Sequence, residues 1–299
     1  MKSIHIKCIY SLMTIVLSFG ISLPTMAQMR SMPAQYYFNQ YLGNAALAGA
    51  DSSLSMTMSY NKQNNGLPGA PVNAFASVDG FFGKRVGLGL NVLNQKAGLF
   101  NQTRVALSYA YHLPVAEDKR LSFGLSAAVG TGSLYLDESN GDRDDGSLTD
   151  YNARSAYFDI DFGLAYAAQG LTLQAAVPSF RNHIIKDSHQ TAERPSFYSS
   201  ASYKFNLGEQ INSIEPKLCF TEFKDDPSVW DLGFDLRFAK MVNLQALYHT
   251  TSNYSLGLGV DVLSRVKVLA MYTSEAGDLQ QYSDGGLSVN MRVKLYRSN

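Results

Sequence analysis

Hydrophobic and polar residues alternate one by one along most of the chain. In the stretch 156–168, for example, Phe158 and Ile160 alternate with Asp159 and Asp161. Successive side chains of a β-strand point to opposite faces, so this alternation indicates strands with one apolar and one polar face. Convincing helical periodicity is absent after the first 30 residues. The pattern therefore predicts an all-β protein.

The alternation divides the chain into about 14 antiparallel strands, an even number as in single-chain bacterial barrels. The predicted strand cores are 53–62, 72–81, 85–94, 103–113, 120–136, 156–166, 171–178, 196–206, 212–223, 229–239, 242–250, 254–263, 266–274 and 285–297. Connections after even-numbered strands are short, whereas the long ones follow odd-numbered strands: 61–71, 137–155, 179–195 and 274–284. Outer-membrane barrels sort their turns and loops in this way. We therefore predict a transmembrane outer-membrane β-barrel over residues 53–299.

In such a barrel the apolar face of each strand meets lipid and the polar face meets the lumen. A carboxylate that faces lipid near the membrane centre costs several kcal/mol, whereas one in a wet lumen costs little. We therefore expect these strand charges to face the lumen: Asp159, Asp161, Asp235, Arg237, Asp261, Arg292 and Lys294.

Aromatic residues make up 12% of the chain, and many of them lie near the predicted strand ends. Interfacial girdles of membrane barrels have this arrangement. Ordinary β-rich composition also explains it, because aromatic rings favour strands in any protein.

The N-terminus has the pattern of a secretory signal peptide. Lys2 and Lys7 precede the apolar stretch 9–23, and Ala27 supplies a small residue at the predicted cleavage site. A charged start, an apolar stretch and a small residue are the three parts of a Sec-type signal. We assign residues 1–27 to this signal, with cleavage near Ala27; the alternative, a membrane anchor, would need a longer apolar run.

Residues 28–52 form a separate segment between the signal and the first strand. The segment is too short for a domain and contains Tyr36, Tyr37, Phe38 and Tyr41. Since exposed aromatic rings in a free tail would be unfavourable, we expect this segment to fold against the lumen or the periplasmic rim. The alternative is a disordered leader.

Composition excludes several classes of protein. The chain has 25 basic and 25 acidic residues, and removal of Lys2 and Lys7 with the signal leaves 23 against 25. No basic stripe indicates a nucleic-acid partner. Beyond the signal no apolar run reaches the roughly 18 residues of a membrane helix. Cys219 is the only cysteine expected in the mature protein, so no internal disulfide is predicted.

Candidate chemistry is sparse. The histidines of the predicted mature chain lie on different elements, except for His183 and His189, which share one loop without metal-ligand spacing. The acidic stretch 137–150 does not fit the spacing of a calcium loop. No serine is predicted to lie beside a histidine. We therefore predict no metal, no cofactor and no enzymatic activity.

Several stretches of the sequence resemble the PorP/SprF family, outer-membrane proteins accessory to type IX secretion in the Bacteroidetes. They are AQYYFNQYLGNAALAG (34–49), YNKQNNGLPGAPVNAFASVDGFF (60–82), VGLGLNVLNQKAGLFNQTRVALSYAYHL (86–113), LSFGLSAAV (121–129) and YFDIDFGLAYAAQGLTLQAAVPSF (157–180). The chain departs from the family pattern at Ala45, where proline is frequent, at Asn64, where tryptophan is frequent, and at His249, where arginine is usual.

The resemblance implies an outer-membrane barrel that retains or escorts a secreted surface protein, or contacts the secretion or gliding machinery. The implied partners are a secreted protein with a C-terminal type IX sorting domain, the machinery itself, and membrane lipid. Two alternatives remain: a porin-like channel or small-molecule transporter, and a soluble secreted β-sandwich of the lectin or adhesin type.

A protein that binds a partner at the cell surface needs a surface beyond the membrane. The longest predicted external loops are 137–155 and 179–195. The first is strongly acidic, and its candidate docking residues are Asp137, Glu138, Asp142, Asp144, Asp145, Asp150 and Tyr151. Acidic loops favour a basic partner surface, and an aromatic side chain adds affinity.

Overall fold

The computed structural model describes residues 37–51, 53–134, 156–181, 195–208, 210–224, 227–239, 241–262 and 265–297. Nearly all of them lie in fourteen antiparallel strands. The strands are β1 (Ser53–Lys62), β2 (Val72–Phe81), β3 (Val86–Ala97), β4 (Phe100–Ala116), β5 (Lys119–Leu134), β6 (Tyr157–Ala168), β7 (Leu171–Val177), β8 (Pro195–Tyr203, continued by Phe205–Asn206), β9 (Ile211–Phe223), β10 (Val229–Phe238), β11 (Val242–His249), β12 (Tyr254–Val262), β13 (Val266–Thr273) and β14 (Gly286–Arg297).

The strands close into one barrel. Each strand pairs with the next in the sequence, and β14 pairs with β1, where Thr57 lies opposite Arg292. The continuation Phe205–Asn206 pairs with the same neighbour as the rest of β8, so it extends that strand after a break at Lys204. The prediction of an all-β barrel with about 14 strands is thereby confirmed, and a two-sheet sandwich is excluded.

The barrel is apolar outside and polar inside. Leu107 on β4 and Leu258 on β12 are 62% and 56% exposed. Ser108, the residue after Leu107, and Ser255, three residues before Leu258, are buried on the opposite face of the same strands. A soluble protein would bury the leucines and expose the serines. This inversion is what a bilayer around the barrel requires, because lipid takes the place of a protein core for the outer face.

At one end of the barrel every described connection is short, whereas the opposite end has both short turns, such as 98–99, and the long connections. Residues 82–85, 117–118 and 169–170 join β2 to β3, β4 to β5 and β6 to β7. The start of β1 and the end of β14 lie at this same end. Because short turns face the periplasm in outer-membrane barrels, we assign this end to the periplasm and the opposite end to the cell exterior.

Helical structure in the described part of the chain consists of short pieces. α1 (Gln40–Gly43) and a 3-10 turn (Ala45–Leu47) precede β1, and a second 3-10 turn (Gly277–Gln281) lies between β13 and β14. Within the described ranges, no helix is long and apolar enough to cross a membrane.

Candidate functional site

The segment 37–51, called here the inserted segment, lies inside the barrel. Tyr37 and Tyr41 are less than 10% exposed, and Ala46 and Ala48 are fully buried. Its 3-10 turn contacts β4, β5 and β6. The described part of the region expected to fold against the lumen or rim is therefore packed against the inner face of the strands.

Tyr41 holds the inserted segment at the middle of the lumen. Its hydroxyl donates to Ser108 Oγ at 2.8 Å and accepts from Asn91 Nδ2 at 3.3 Å. Burial raises the pKa of the Tyr41 hydroxyl to about 12, so this group stays protonated and can donate. Ser108 in turn bonds Ser126 Oγ at 2.7 Å, which links the segment to two neighbouring strands.

Asn44 fixes the segment to β6 and β7. Its Nδ2 donates to the carbonyl of Leu164 at 3.0 Å and to Gln174 Oε1 at 3.3 Å. Its Oδ1 accepts from the backbone N–H of Ala46 at 2.9 Å and so caps the 3-10 turn. One asparagine therefore both shapes the segment and attaches it to the wall.

Backbone groups hold the periplasmic end of the segment. The carbonyl of Ala48 lies 2.9 Å from His112 Nε2, and the N–H of Gly49 donates to Asp79 Oδ2 at 2.9 Å. Arg120 donates through Nη1 to the carbonyl of Ala50 at 2.9 Å. These bonds satisfy backbone groups that no regular secondary structure pairs.

Cations and aliphatic side chains hold the other end. Lys217 Nζ lies 4.8 Å from the centre of the Tyr37 ring, and Lys267 Nζ lies 5.6 Å from that of Phe38. These distances are in the range of cation–π interactions. The two rings also pack with Leu247, Leu269 and Met271, the buried cluster on this side of the lumen.

Glycines on the inner face make room for the segment. A Cβ at Gly124 would collide with the backbone of Ala45 and Ala46, and one at Gly87 would collide with the carbonyl of Ala48. Because backbone cannot move aside as a flexible side chain can, no other residue fits these two positions while the segment stays in place.

The two aspartates of β6 lie on the inner face above the inserted segment. Arg104 Nη2 donates to Asp161 Oδ1 at 2.7 Å and to Oδ2 at 2.8 Å, and lies 3.9 Å from Asp159 Oδ2. The carboxylates also accept from the backbone N–H groups of Ser179 and Arg181, at 2.9 and 3.2 Å. The cavity beside Arg104 and Asp161 measures about 20 Å³, the size of roughly one water molecule.

The other candidate lumen charges lie lower, towards the periplasm. Asp235 accepts from Gln245 Nε2 at 2.6 Å and from Asn243 Nδ2 at 2.9 Å, and lies 3.9 Å from Lys267 Nζ. A second group of ion pairs has separations of 3.8 to 4.0 Å: Arg237–Asp261, Arg292–Asp51 and Lys294–Asp51. The structure thus places each of the seven predicted charges within 4.0 Å of an opposite charge; a function for them stays a prediction.

Two histidines lie beside serines, so the expectation that no serine lies beside a histidine is wrong. His249 Nδ1 is 2.6 Å from Asp231 Oδ1, and its Nε2 is 2.9 Å from Ser255 Oγ. His112 Nδ1 is 2.8 Å from Ser122 Oγ. The first group has the connectivity of a hydrolase triad, yet Ser255 is fully buried, so no substrate can reach its hydroxyl in this conformation.

The candidate docking residues on the acidic loop lie outside the described residues. They are Asp137, Glu138, Asp142, Asp144, Asp145, Asp150 and Tyr151. The sequence did not predict the roles of Asn44, which attaches the inserted segment to β6 and β7, and of Arg104, which pairs with the aspartates of β6. One feature of the sequence could have indicated the role of Arg104: it is a charged residue among the small and polar residues of the inner face of β4.

Comparisons with known proteins agree with this architecture. The pattern of the family described as "Type IX secretion system membrane protein PorP/SprF" matches residues 25–293. The toluene transporter TbuX of Ralstonia pickettii is 12% identical with a TM-score of 0.55, over 90% of this chain and 95% of that one. Acinetobacter baumannii Omp33 is 9% identical with a TM-score of 0.47, over 82% of this chain and all of that one. The likeness to TbuX is one of fold alone, and no curated protein matches.

Proposed function

Since the chain belongs to the PorP/SprF family of type IX secretion system membrane proteins, we propose that this outer-membrane barrel retains or escorts a secreted surface protein. The observation that supports this function best is the inserted segment, which crosses the lumen and bonds to strands on several sides of it. A barrel filled in this way has its outer surfaces, rather than a pore, available for a partner.

The inserted segment weighs against the porin-like alternative. The cavity beside this segment, at Arg104 and Asp161, measures about 20 Å³, whereas ligand pockets for small molecules measure about 300–1,000 Å³. Tyr41 and Asn44 lie inside the barrel and are bonded to its wall, and Ala46 is bonded to Asn44. Passage of a nutrient would require this segment to leave.

The external loops are the proposed docking surface. Loop 137–155 carries six acidic residues against Arg143 and Arg154, so a basic partner surface would be attracted to it. Such charges mainly raise the encounter rate and select against wrong partners, whereas Tyr151 would supply affinity. The proposed partner is a secreted protein with a C-terminal type IX sorting domain, with the machinery as a second contact.

Shortening residues 138–152 to a tight glycine-containing turn tests the docking surface. Barrel assembly should persist, because the described parts of β5 and β6 end before and begin after these residues. Surface attachment of the partner encoded beside this protein should fall. A matched variant keeps the loop length and replaces the six acidic residues by Asn or Gln. It should show the same loss if charge carries the recognition.

A strain that lacks the whole gene shows whether the protein retains its partner at all, independently of which surface the partner binds. If attachment survives loop shortening and fails without the gene, the barrel retains its partner through another surface. If secretion and attachment also survive loss of the gene, the retention function is wrong and the channel alternative takes its place.

A further inference from the structure

The inserted segment supports β7 from inside the barrel. This strand has two buried side chains, Gln174 and Ala176. Asn44 of the segment donates through Nδ2 to Gln174 Oε1 at 3.3 Å, and the same nitrogen lies 3.4 Å from the carbonyl oxygen of Ala175. Leu42 of the segment packs against the buried cluster that contains Ala176. The inner face of β7 therefore packs on the segment.

Residues 178–181, called here the loop base, continue β7 towards the cell exterior. The chain turns at Ser179, which is fully buried and has a φ of +58°. The N–H of Ser179 donates to Asp161 Oδ1 at 2.9 Å, and that of Arg181 donates to Asp159 Oδ1 at 3.2 Å. Two backbone groups of the loop base are thus bonded to side chains of the lumen.

The backbone of Ser179 depends on its surroundings. A positive φ is uncommon for a residue other than glycine and persists where neighbouring contacts impose it. One such contact is Asp161, which in turn accepts from Arg104 at 2.7 and 2.8 Å. The conformation of the loop base is therefore tied to the buried ion pair.

The ion pair, the loop base and the inserted segment meet around one small cavity. Arg104, Asp161 and Pro178 line it on one side, and residues 41–45 of the segment line it on the other. Its volume of about 20 Å³ leaves room for roughly one water molecule. If the segment left, bulk water would reach the ion pair and compete for the N–H of Ser179. A solvated ion pair contributes little stability, so the contacts that impose the positive φ would weaken.

We propose that the inserted segment and the loop base form one cooperative unit, in which the loop base keeps its inward hydrogen bonds only while the segment occupies the lumen. Packed side chains and hydrogen-bond networks carry coupling of this kind. The coupling is reciprocal by thermodynamic necessity, so release of the loop base also weakens insertion of the segment. The exterior end of the barrel thereby responds to whether the lumen is filled. This coupling is independent of the proposed retention function.

Hydrogen–deuterium exchange of full-length mature barrels in detergent, read by mass spectrometry, measures the coupling from the segment side. Gly124→Leu occupies the space of the segment backbone. The amides of Ser179 and Arg181 should then exchange at least about fivefold faster than in wild type, the lower end of typical coupling factors. Gly208→Leu should exchange like wild type, because nothing lies within 4 Å of a Cβ there.

Two other external connections provide a control within the same molecule. The N–H of Asn65 donates to the carbonyl of Gly285 at 2.7 Å, and the N–H of Asp284 donates to the carbonyl of Asn65 at 2.9 Å. These amides should stay protected in Gly124→Leu. Unchanged exchange at Ser179 and Arg181 would overturn the proposal, and so would an equal acceleration at Asn65 and Asp284, which would indicate general destabilisation.

Ser179→Pro measures the coupling from the opposite side, because proline has no N–H and cannot adopt a positive φ. The amides of Ala46 and Gly49, each bonded to a side-chain oxygen at 2.9 Å, should exchange faster than in wild type. Ser252→Pro is the matched control. Ser252 also has a positive φ, of +66°, and its N–H donates to the carbonyl of His249 at 2.9 Å in the external turn between β11 and β12.

The control variant should leave the inserted segment as protected as in wild type, because its turn lies away from the ion pair and the loop base. Equal exchange of the segment amides in the two proline variants would overturn the coupling, even if Gly124→Leu fails to assemble.

Discussion

Arg104 on β4 and Asp161 on β6 form a salt bridge across the intervening strand β5. Nη2 of the arginine lies 2.7 and 2.8 Å from the two carboxylate oxygens, and the arginine side chain is only 6% exposed. The pair is buried in the lumen above the inserted segment, so removal of either charge would leave the other buried without its partner. The inward direction of the two β6 aspartates is therefore stabilised by Arg104, which lies on the lumen side.

Asp161→Ala should destabilise the barrel by about 3 kcal/mol, because it leaves the Arg104 guanidinium buried with only Asp159 nearby. Urea unfolding of detergent-refolded barrels measures the effect. Asp51→Ala is the control. Its pairs with Arg292 and Lys294 are long and half-exposed, so the cost should be at most about 1 kcal/mol. Similar costs for both variants would contradict the buried-pair interpretation.

Gly124→Leu should expel the inserted segment, since the new side chain would occupy the space of the Ala45 and Ala46 backbone. Limited proteolysis of assembled barrels should then cut within 37–51, a region protected in wild type. Gly208→Leu is the matched control, because nothing lies within 4 Å of a Cβ at that position. Protection that persists in Gly124→Leu would mean that the wall yields and the segment stays.

Leu258→Arg should cost about 2–4 kcal/mol, because Leu258 faces lipid near the middle of β12. Val262→Arg, on the same face of the same strand at its periplasmic end, should cost about 0–1 kcal/mol. Both leucine and valine are exposed, so a soluble protein would tolerate both changes. Equal losses of stability in the two variants would show that the membrane centre does not lie near Leu258.

Ser255→Ala should cost about 1–3 kcal/mol of folding stability, because the hydroxyl is buried and has two partners, His249 Nε2 and Thr273 Oγ1. The same substitution at outward-facing Ser199 should change stability by less than about 0.5 kcal/mol. Surface attachment of the partner should be unchanged in Ser255→Ala. Ester hydrolysis by wild type that disappears in this variant would instead reveal an enzyme.

The strands could be predicted from the sequence because their signal is local. Alternation with a period of two depends only on neighbouring residues, and the expected bounds of β1 and β2 agree with the structure residue for residue. The break at Lys204 within the expected strand 196–206 was not foreseen. At the break, the backbone N–H of Lys204 donates to the carbonyl of Gly170, in the turn that joins β6 to β7.

The contents of the lumen could not be predicted in the same detail, because they depend on register and closure. Asp231 and His249 come together since β10 and β11 pair them directly, and a shift of one residue would separate them. In the sequence, Gly124 cannot be distinguished from other inner-face glycines; its contact with the inserted segment is visible only in the folded barrel. The sequence indicates which residues face inward, whereas their partners follow only from the closed barrel.

We propose that the inserted segment closes the lumen, so that the protein presents its surface to a partner and conducts no ions. Planar-bilayer recording of the mature wild-type protein measures this conductance. Wild type and Gly208→Leu should show no conductance steps, whereas Gly124→Leu should show steps of a size typical of an open barrel lumen. Porin-like steps from the wild type, unchanged in Gly124→Leu, would contradict the account.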